Sequence, residues 1–213
     1  MTTKLRLYNR ALRNLGESRL AAVDDEVEAR YLLDTAYDDG AIDFALAQGY
    51  WNFAIRSQHI SYDSGISPDF GFQRAIDKPS DWISTVMISG NEYYDPPLLA
   101  FHDEGAYWYC DLDSIYVRFV SNDASYGGDL TLWTESFANF FSWYLAKQIY
   151  KQLTGAKVDT EEVKKGYKEA RTLARANDAM QEGVKFPPRG SWPASRGNRQ
   201  SHRDLGNTGS LTG

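Results

Sequence analysis

Residues 134–155 read TESFANFFSWYLAKQIYKQLTG. Phe137, Phe140, Phe141, Tyr144, Leu145, Ile149 and Leu153 recur at intervals of three and four, the spacing that stacks side chains on one face of an α-helix. Gly155 stands where helices commonly end. The stretch therefore predicts a long helix whose aromatic load belongs to a core or a subunit interface; the lining of a cofactor pocket is a rarer use of such a stripe.

Working outward, a further helix is predicted after Asp159, whose spacing to Glu162 resembles a capping box. Val163, Tyr167, Ala170, Leu173, Ala174, Asn177 and Met180 would share its apolar face. At the start of the chain, Leu5, Tyr8, Leu12 and Leu15 form one stripe that ends at Gly16. A second helix is expected behind Asp24 as N-cap, running through Ala29, Leu33, Ala36, Tyr37, Gly40, Phe44 and Ala47 to Gly49. Its acids Asp24, Asp25, Glu26 and Glu28 lie where the helix dipole favours negative charge.

Between Ile55 and Leu132 the pattern changes. SGISPDFG, DKPSD, SGNEYYDPP and SYGG punctuate short runs rich in Ile, Val and aromatics. WISTVMIS (82–89), GAYWYC (105–110) and SIYVRFV (114–120) are the best strands. The fold class expected is mainly α with inserted β: a four-helix bundle-like body from residues 1–54 and 133–182, a small antiparallel β-rich insertion over 55–132, and an extended tail over 183–213. In that tail Pro187, Pro188 and Pro193 remove backbone donors and favour an extended course.

Charge is divided unevenly. Residues 185–213 hold Lys185, Arg189, Arg196, Arg199 and Arg203 against Asp204 alone, a balance of +4; the chain totals -6, so the remainder carries -10. An acidic body makes a poor clamp for nucleic acid, whose affinity comes largely from Lys and Arg neutralising phosphates, whereas a basic tail suits an acidic partner. The single cysteine, Cys110, excludes an intrachain disulfide and a cysteine-based zinc site, and agrees with a reducing compartment. No signal-peptide pattern opens the chain and no run approaches the ~18 apolar residues of a membrane span, so a soluble, unexported protein without membrane contact is expected.

Signatures of several enzyme classes are missing: GxSxG, the P-loop, HExxH and a dinucleotide glycine fingerprint. His102, Asp103 and Glu104 form the one dense titratable cluster, and His59 lies near Asp63 in sequence. Adjacent residues point different ways, however, and a solvated turn explains HDE as well as acid–base work does. Asp111 and Asp113 could flank a hard cation, but with no third ligand in view a hairpin turn is the simpler reading. Cys110 reads as a small buried hydrophobe. Neither a catalytic residue nor a metal or cofactor site is assigned.

The order of segments resembles a known family. LYNRALRNLGESRLAAVDDEVEARYLLDTAYDDGAIDFALAQGYWNFA (7–54) is similar to the amino-terminal region of the head-to-tail adaptors of tailed bacteriophages, the tail tubular protein A group in particular. The matching features are a helix ending in Leu15-Gly16, an acidic helix start, the pair Ala29-Arg30, and an aromatic-Asn-Phe turn at Trp51-Asn52-Phe53. Pro79-Ser80-Asp81 before an apolar strand, a Tyr-rich meander, two long helices and a Pro- and Arg-containing tail follow in the same order.

This resemblance implies a structural virion protein rather than an enzyme: a homo-oligomeric ring, usually twelve-fold, below the portal protein. It would join the capsid vertex to a downstream tail or nozzle protein and line part of the channel through which double-stranded DNA passes. The tail would reach the portal, and residue type nominates Phe186, Arg189, Trp192 and Arg196 as its anchors. The apolar load of the long helices, more than a two-helix contact can bury, nominates Phe137, Phe140, Trp143 and Tyr144 for the interface between subunits. An acidic body would also repel passing DNA from the channel wall. Two other readings compete: a small enzyme or ligand-binding module with a site near His102, and a nucleic-acid binder using the basic tail.

Overall fold

The helix expected over 134–155 forms as α4 (Glu135–Thr154) in a computed structural model that describes residues 1–155 and 159–181. The Thr134 hydroxyl caps it by accepting from the Phe137 N–H at 3.3 Å, and it stops at Gly155, where φ is +59°. Its buried residues include Phe137, Phe140, Phe141 and Leu145 and also Ala138, Ser142 and Ala146, so it is covered on more than the one predicted stripe. A helix apolar over most of its circumference belongs in an interior. Accordingly α1 (Lys4–Asn14), α2 (Glu28–Asp38), α3 (Ala41–Leu46) and α5 (Thr160–Ala179) all pack against it.

The six strands are β1 (Ile55–Ser61), β2 (Arg74–Asp77), β3 (Trp82–Ser89), β4 (His102–Glu104), β5 (Tyr107–Cys110) and β6 (Ser114–Ser121). They build two three-stranded antiparallel sheets, ordered β1-β6-β3 and β2-β5-β4. Along β6, Ile115, Val117 and Phe119 alternate into a core shared with Ile76, Ile88, Trp108 and Cys110 of the other strands. Val120 instead joins the helical core, where Ile83 and Val86 also pack. The first sheet therefore lies between two hydrophobic cores, with its central strand β6 the most buried.

The expectation of a mainly α four-helix bundle with one small inserted sheet is overturned. Among the described residues there are five α-helices and two sheets, an α+β fold. One cause is Gly40, which adopts φ +75° and splits the long helix expected from Asp24 to Gly49 into α2 and α3. A second lies at the start of α2, where Val27 is the N-cap and Asp25 instead accepts from the N–H groups of Ala21 and Ala22 at 2.6 and 3.1 Å. A third is that β1 and β2 carry few apolar residues and find their partners far along the chain, as in the pairings of Ile55 with Val120 and Arg74 with Cys110, while β4, with no apolar residue, pairs only with its neighbour β5.

Candidate functional site

His102, Asp103 and Glu104 form a short edge strand rather than a turn, and strand alternation divides them. The exposed His102 Nε2 lies 3.5 Å from Glu104 Oε2, with Phe70 edge-on to its ring. Asp103 turns the other way. It accepts from Lys78 Nζ, from Thr85 Oγ1 at 2.7 Å and from Trp108 Nε1 at 3.2 Å.

Lys78 is buried to within 5% of its side-chain surface, its ammonium 4.0 Å from the centre of the Trp82 ring and donating to the Gly105 carbonyl at 2.8 Å. Burial would raise the Asp103 carboxyl, but the hydrogen bonds from Lys78 and Thr85 and the Lys78 charge together hold it below its ordinary value. The three residues thus do not converge on one reacting position. Asp103 fastens β4 to β3 and to the residue that follows β2.

The other sequence candidates are also engaged within the fold. His59 stacks on Tyr116 with ring centres 4.4 Å apart, while Asp63 accepts from the Gly65 N–H at 2.8 Å. Asp111 accepts from the Gln73 N–H at 3.0 Å, and Asp113 pairs with Arg74 at 2.7 Å. Cys110 is buried, and burial pushes its thiol upward, away from the nucleophilic form. No group of three metal-ligating side chains occurs among the described residues.

Of the residues nominated for a subunit interface, Phe137 and Phe140 are fully buried and Tyr144 nearly so, in this chain's own core. Trp51 and Phe53 pack on Phe137, Tyr167 packs on Phe140 and Tyr144, and Phe44 stacks on Tyr144 at 4.6 Å. Trp143 lies against Gly166 of α5. The apolar surplus expected to meet neighbouring subunits is absorbed by α1, α2, α3 and the Trp51–Phe53 turn. Phe186, Arg189, Trp192 and Arg196 lie outside the described residues.

A surface that sequence reasoning passed over is the loop 90–101 between β3 and β4. Asn91 organises it: its Oδ1 accepts from the N–H groups of Tyr93 and Asp95 at 3.0 and 3.4 Å, and its Nδ2 donates to the Asp95 carbonyl at 2.6 Å. Tyr94, at φ +59°, sits in a region that non-glycine residues seldom adopt. Leu98 and Phe101 fold inward onto the sheet core, which leaves Tyr93 81% and Leu99 87% exposed. A loop tied by its own hydrogen bonds holds a large aromatic and a leucine in water, an arrangement suited to docking another protein surface. The signal available in sequence was SGNEYYDPPLLAF, read there only as a break between strands.

The motifs that carry the family resemblance prove to be framework residues. Trp51 is fully buried and donates to the Ala45 carbonyl at 3.1 Å, and the Asn52 N–H donates to Asp178 at 3.0 Å. Asp81 of the Pro-Ser-Asp segment accepts from Arg56 at 2.9 Å and from the Ser121 hydroxyl, stapling β3 to β1 and β6. Arg30 pairs with Asp34 at 2.9 Å. No protein-family model matches the chain, and no curated protein matches its sequence.

Proposed function

We propose that this chain is a structural assembly protein, a head-to-tail adaptor that forms a ring between a bacteriophage portal and the tail component below it. The observation that carries the reading is the ordered series of segments resembling that family, from Leu15-Gly16 through Trp51-Asn52-Phe53 and Pro79-Ser80-Asp81 to the Pro- and Arg-containing tail. The Asn91-ordered loop supports it, because Tyr93 is held outward there and Leu99, further along the same loop, stands exposed, both placed as anchors for a neighbouring protein. In this reading the tail attaches to the portal, the helices and sheets form the ring wall, and the loop meets a neighbour or the downstream tail protein. The virion is its place of work.

Co-sedimentation with the cognate portal tests the proposal. The full chain should pellet with portal rings at a fixed ratio, and Tyr93→Ala with Leu99→Ala should weaken recruitment of the downstream component or of further subunits. A chain that stays in the supernatant at every portal concentration would overturn the reading. The competing ligand-binding site near His102 has less support, since Asp103 is held in an internal network.

A further inference from the structure

One face of α1 and the loop after it gather four arginines on the surface. Arg6, Asn9, Arg10, Arg13, Glu17 and Arg19 line a concave pocket of ≈ 630 Å³. Two of its arginines are fixed from below: Arg10 pairs with Glu135, and Arg6 reaches the same carboxylate at 3.1 Å. Asn9 holds the Arg19 side of the pocket by accepting from the Leu20 N–H at 2.7 Å and donating to the Leu20 carbonyl at 3.1 Å. Arg13 and Arg19 are exposed, and neither has a carboxylate partner among the described residues.

The complementary feature is on the same chain. Residues 23–28 form a short, exposed acidic knob, its backbone held by Asp25 on Ala21 and Ala22 and by Arg30 Nε on the Val23 carbonyl at 3.2 Å. It presents Asp24, Glu26 and Glu28, exposed and without cationic partners among the described residues, beside Val23 at 40% and Val27 at 45% exposure. We infer that the occupant of the arginine pocket is this acidic knob of a second copy of the chain, giving a head-to-tail contact between subunits.

Single exposed ion pairs contribute little. Here, however, Arg13 and Arg19 stand without carboxylate partners in one hollow beside Arg6 and Arg10, which share Glu135, and the oppositely charged segment brings two valines to be buried with them. A contact between two different patches of identical chains repeats at each copy and closes a ring when its rotation permits. The inference rests on the adaptor reading for its biological setting and not for its chemistry.

Sedimentation velocity of the full chain tests it, with wild type, Arg13→Glu with Arg19→Glu, Glu26→Lys with Glu28→Lys, and an equal mixture of the two variants. Wild type should self-associate, more weakly at about 0.5 M than at about 0.05 M salt because exposed charges are screened. Each variant alone should associate about tenfold or more weakly. The mixture should recover, since the acidified pocket of one variant then meets the basic knob of the other and the acidic knob meets an unaltered pocket.

A wild type that stays monomeric across concentration would overturn the inference. So would association indifferent to both reversals, a mixture that fails to recover, or reversals that change only the binding of double-stranded DNA. Portal co-sedimentation of the same variants separates this from the adaptor reading. Variants that form complete rings on the portal refute the knob-and-pocket contact and leave the adaptor reading standing. A wild type that self-associates as described yet ignores the portal does the reverse.

Discussion

Asn52 and Asp178, 126 residues apart, bind each other through three hydrogen bonds: the Asn52 N–H donates to both carboxylate oxygens at 3.0 and 3.3 Å, and its side-chain amide donates to the Asp178 carbonyl at 2.9 Å. The turn that leads into β1 is thereby clasped to the end of α5. Asp178→Ala strands a partly buried backbone donor and should cost about 2–3 kcal/mol, whereas Asn52→Ala removes one side-chain bond and should cost about 1 kcal/mol. Urea unfolding of the two variants checks that order.

Gly166 supplies a second check on packing. Alanine is normally the better helix residue by about 1 kcal/mol, yet a Cβ at this position would stand 2.5 Å from the Trp143 ring. Gly166→Ala should therefore destabilise the protein by about 1–2 kcal/mol. In a Trp143→Leu background the same change should be neutral or stabilising, which a double-mutant cycle measures directly. If Trp143 instead made its contacts only with a neighbouring subunit, the two substitutions would be additive in the monomer.

Acid should loosen the α1–α2 contact. Burial alone would raise the Asp34 carboxyl, but hydrogen bonds from Lys4 and Tyr8, with the charges of Lys4 and Arg30, hold it below its ordinary value of 3.8. A depressed folded-state pKa contributes stability that is fully present above the unfolded value. That contribution is lost as pH falls from about 4 through the folded-state value. Asp34→Asn should thus be clearly less stable than wild type at neutral pH, with the gap closing as acid protonates Asp34 in the wild type. Thermal unfolding of both proteins across that range reads the difference.

Lys78 and His102 should behave oppositely. Lys78→Met leaves Asp103 without its cation and should cost about 2–3 kcal/mol, less than for a fully buried pair because Asp103 keeps 33% of its side-chain surface in water. His102→Ala alters an exposed edge-strand residue and should change stability by no more than about 0.5 kcal/mol. It should also leave portal binding untouched; a loss of binding on that substitution alone would revive a site at β4.

The exposed anchors make a prediction about assembly rather than folding. Tyr93→Ala and Leu99→Ala should leave the unfolding midpoint close to wild type, since neither side chain is buried. Truncating an interface anchor typically costs 1 kcal/mol or more, so each should weaken the assembled complex by about tenfold. Binding measured by sedimentation with the downstream component present distinguishes the two effects.

Much of this architecture was legible in the sequence because its signals are local. The aromatic repeat of α4 and the runs 82–89 and 114–120 correspond to α4, β3 and β6 within a residue or two. What escaped depends on distant partners or on one backbone angle. Gly40 falls at a helical position in the pattern, and only its φ of +75° shows the break. Leu173 and Met180 fit the spacing of α5 yet remain exposed, because α4 covers the face that holds Val163, Tyr167, Ala170 and Ala174. The Lys78–Asp103 pair joins residues 25 apart and leaves no periodic trace. Phe137 and Phe140 read as surplus because α2, α3 and the Trp51–Phe53 turn could not be placed on them from spacing alone. The Asn91 loop gave only the punctuation of a turn, since its order comes from side-chain bonds to its own backbone.

The most direct measurement is electron microscopy of cognate portal rings mixed with the full chain and, separately, with a version ending at Glu182. The full chain should add a second ring of density beneath the portal and the shortened chain should add none. Bare portal rings with both proteins would contradict the adaptor reading.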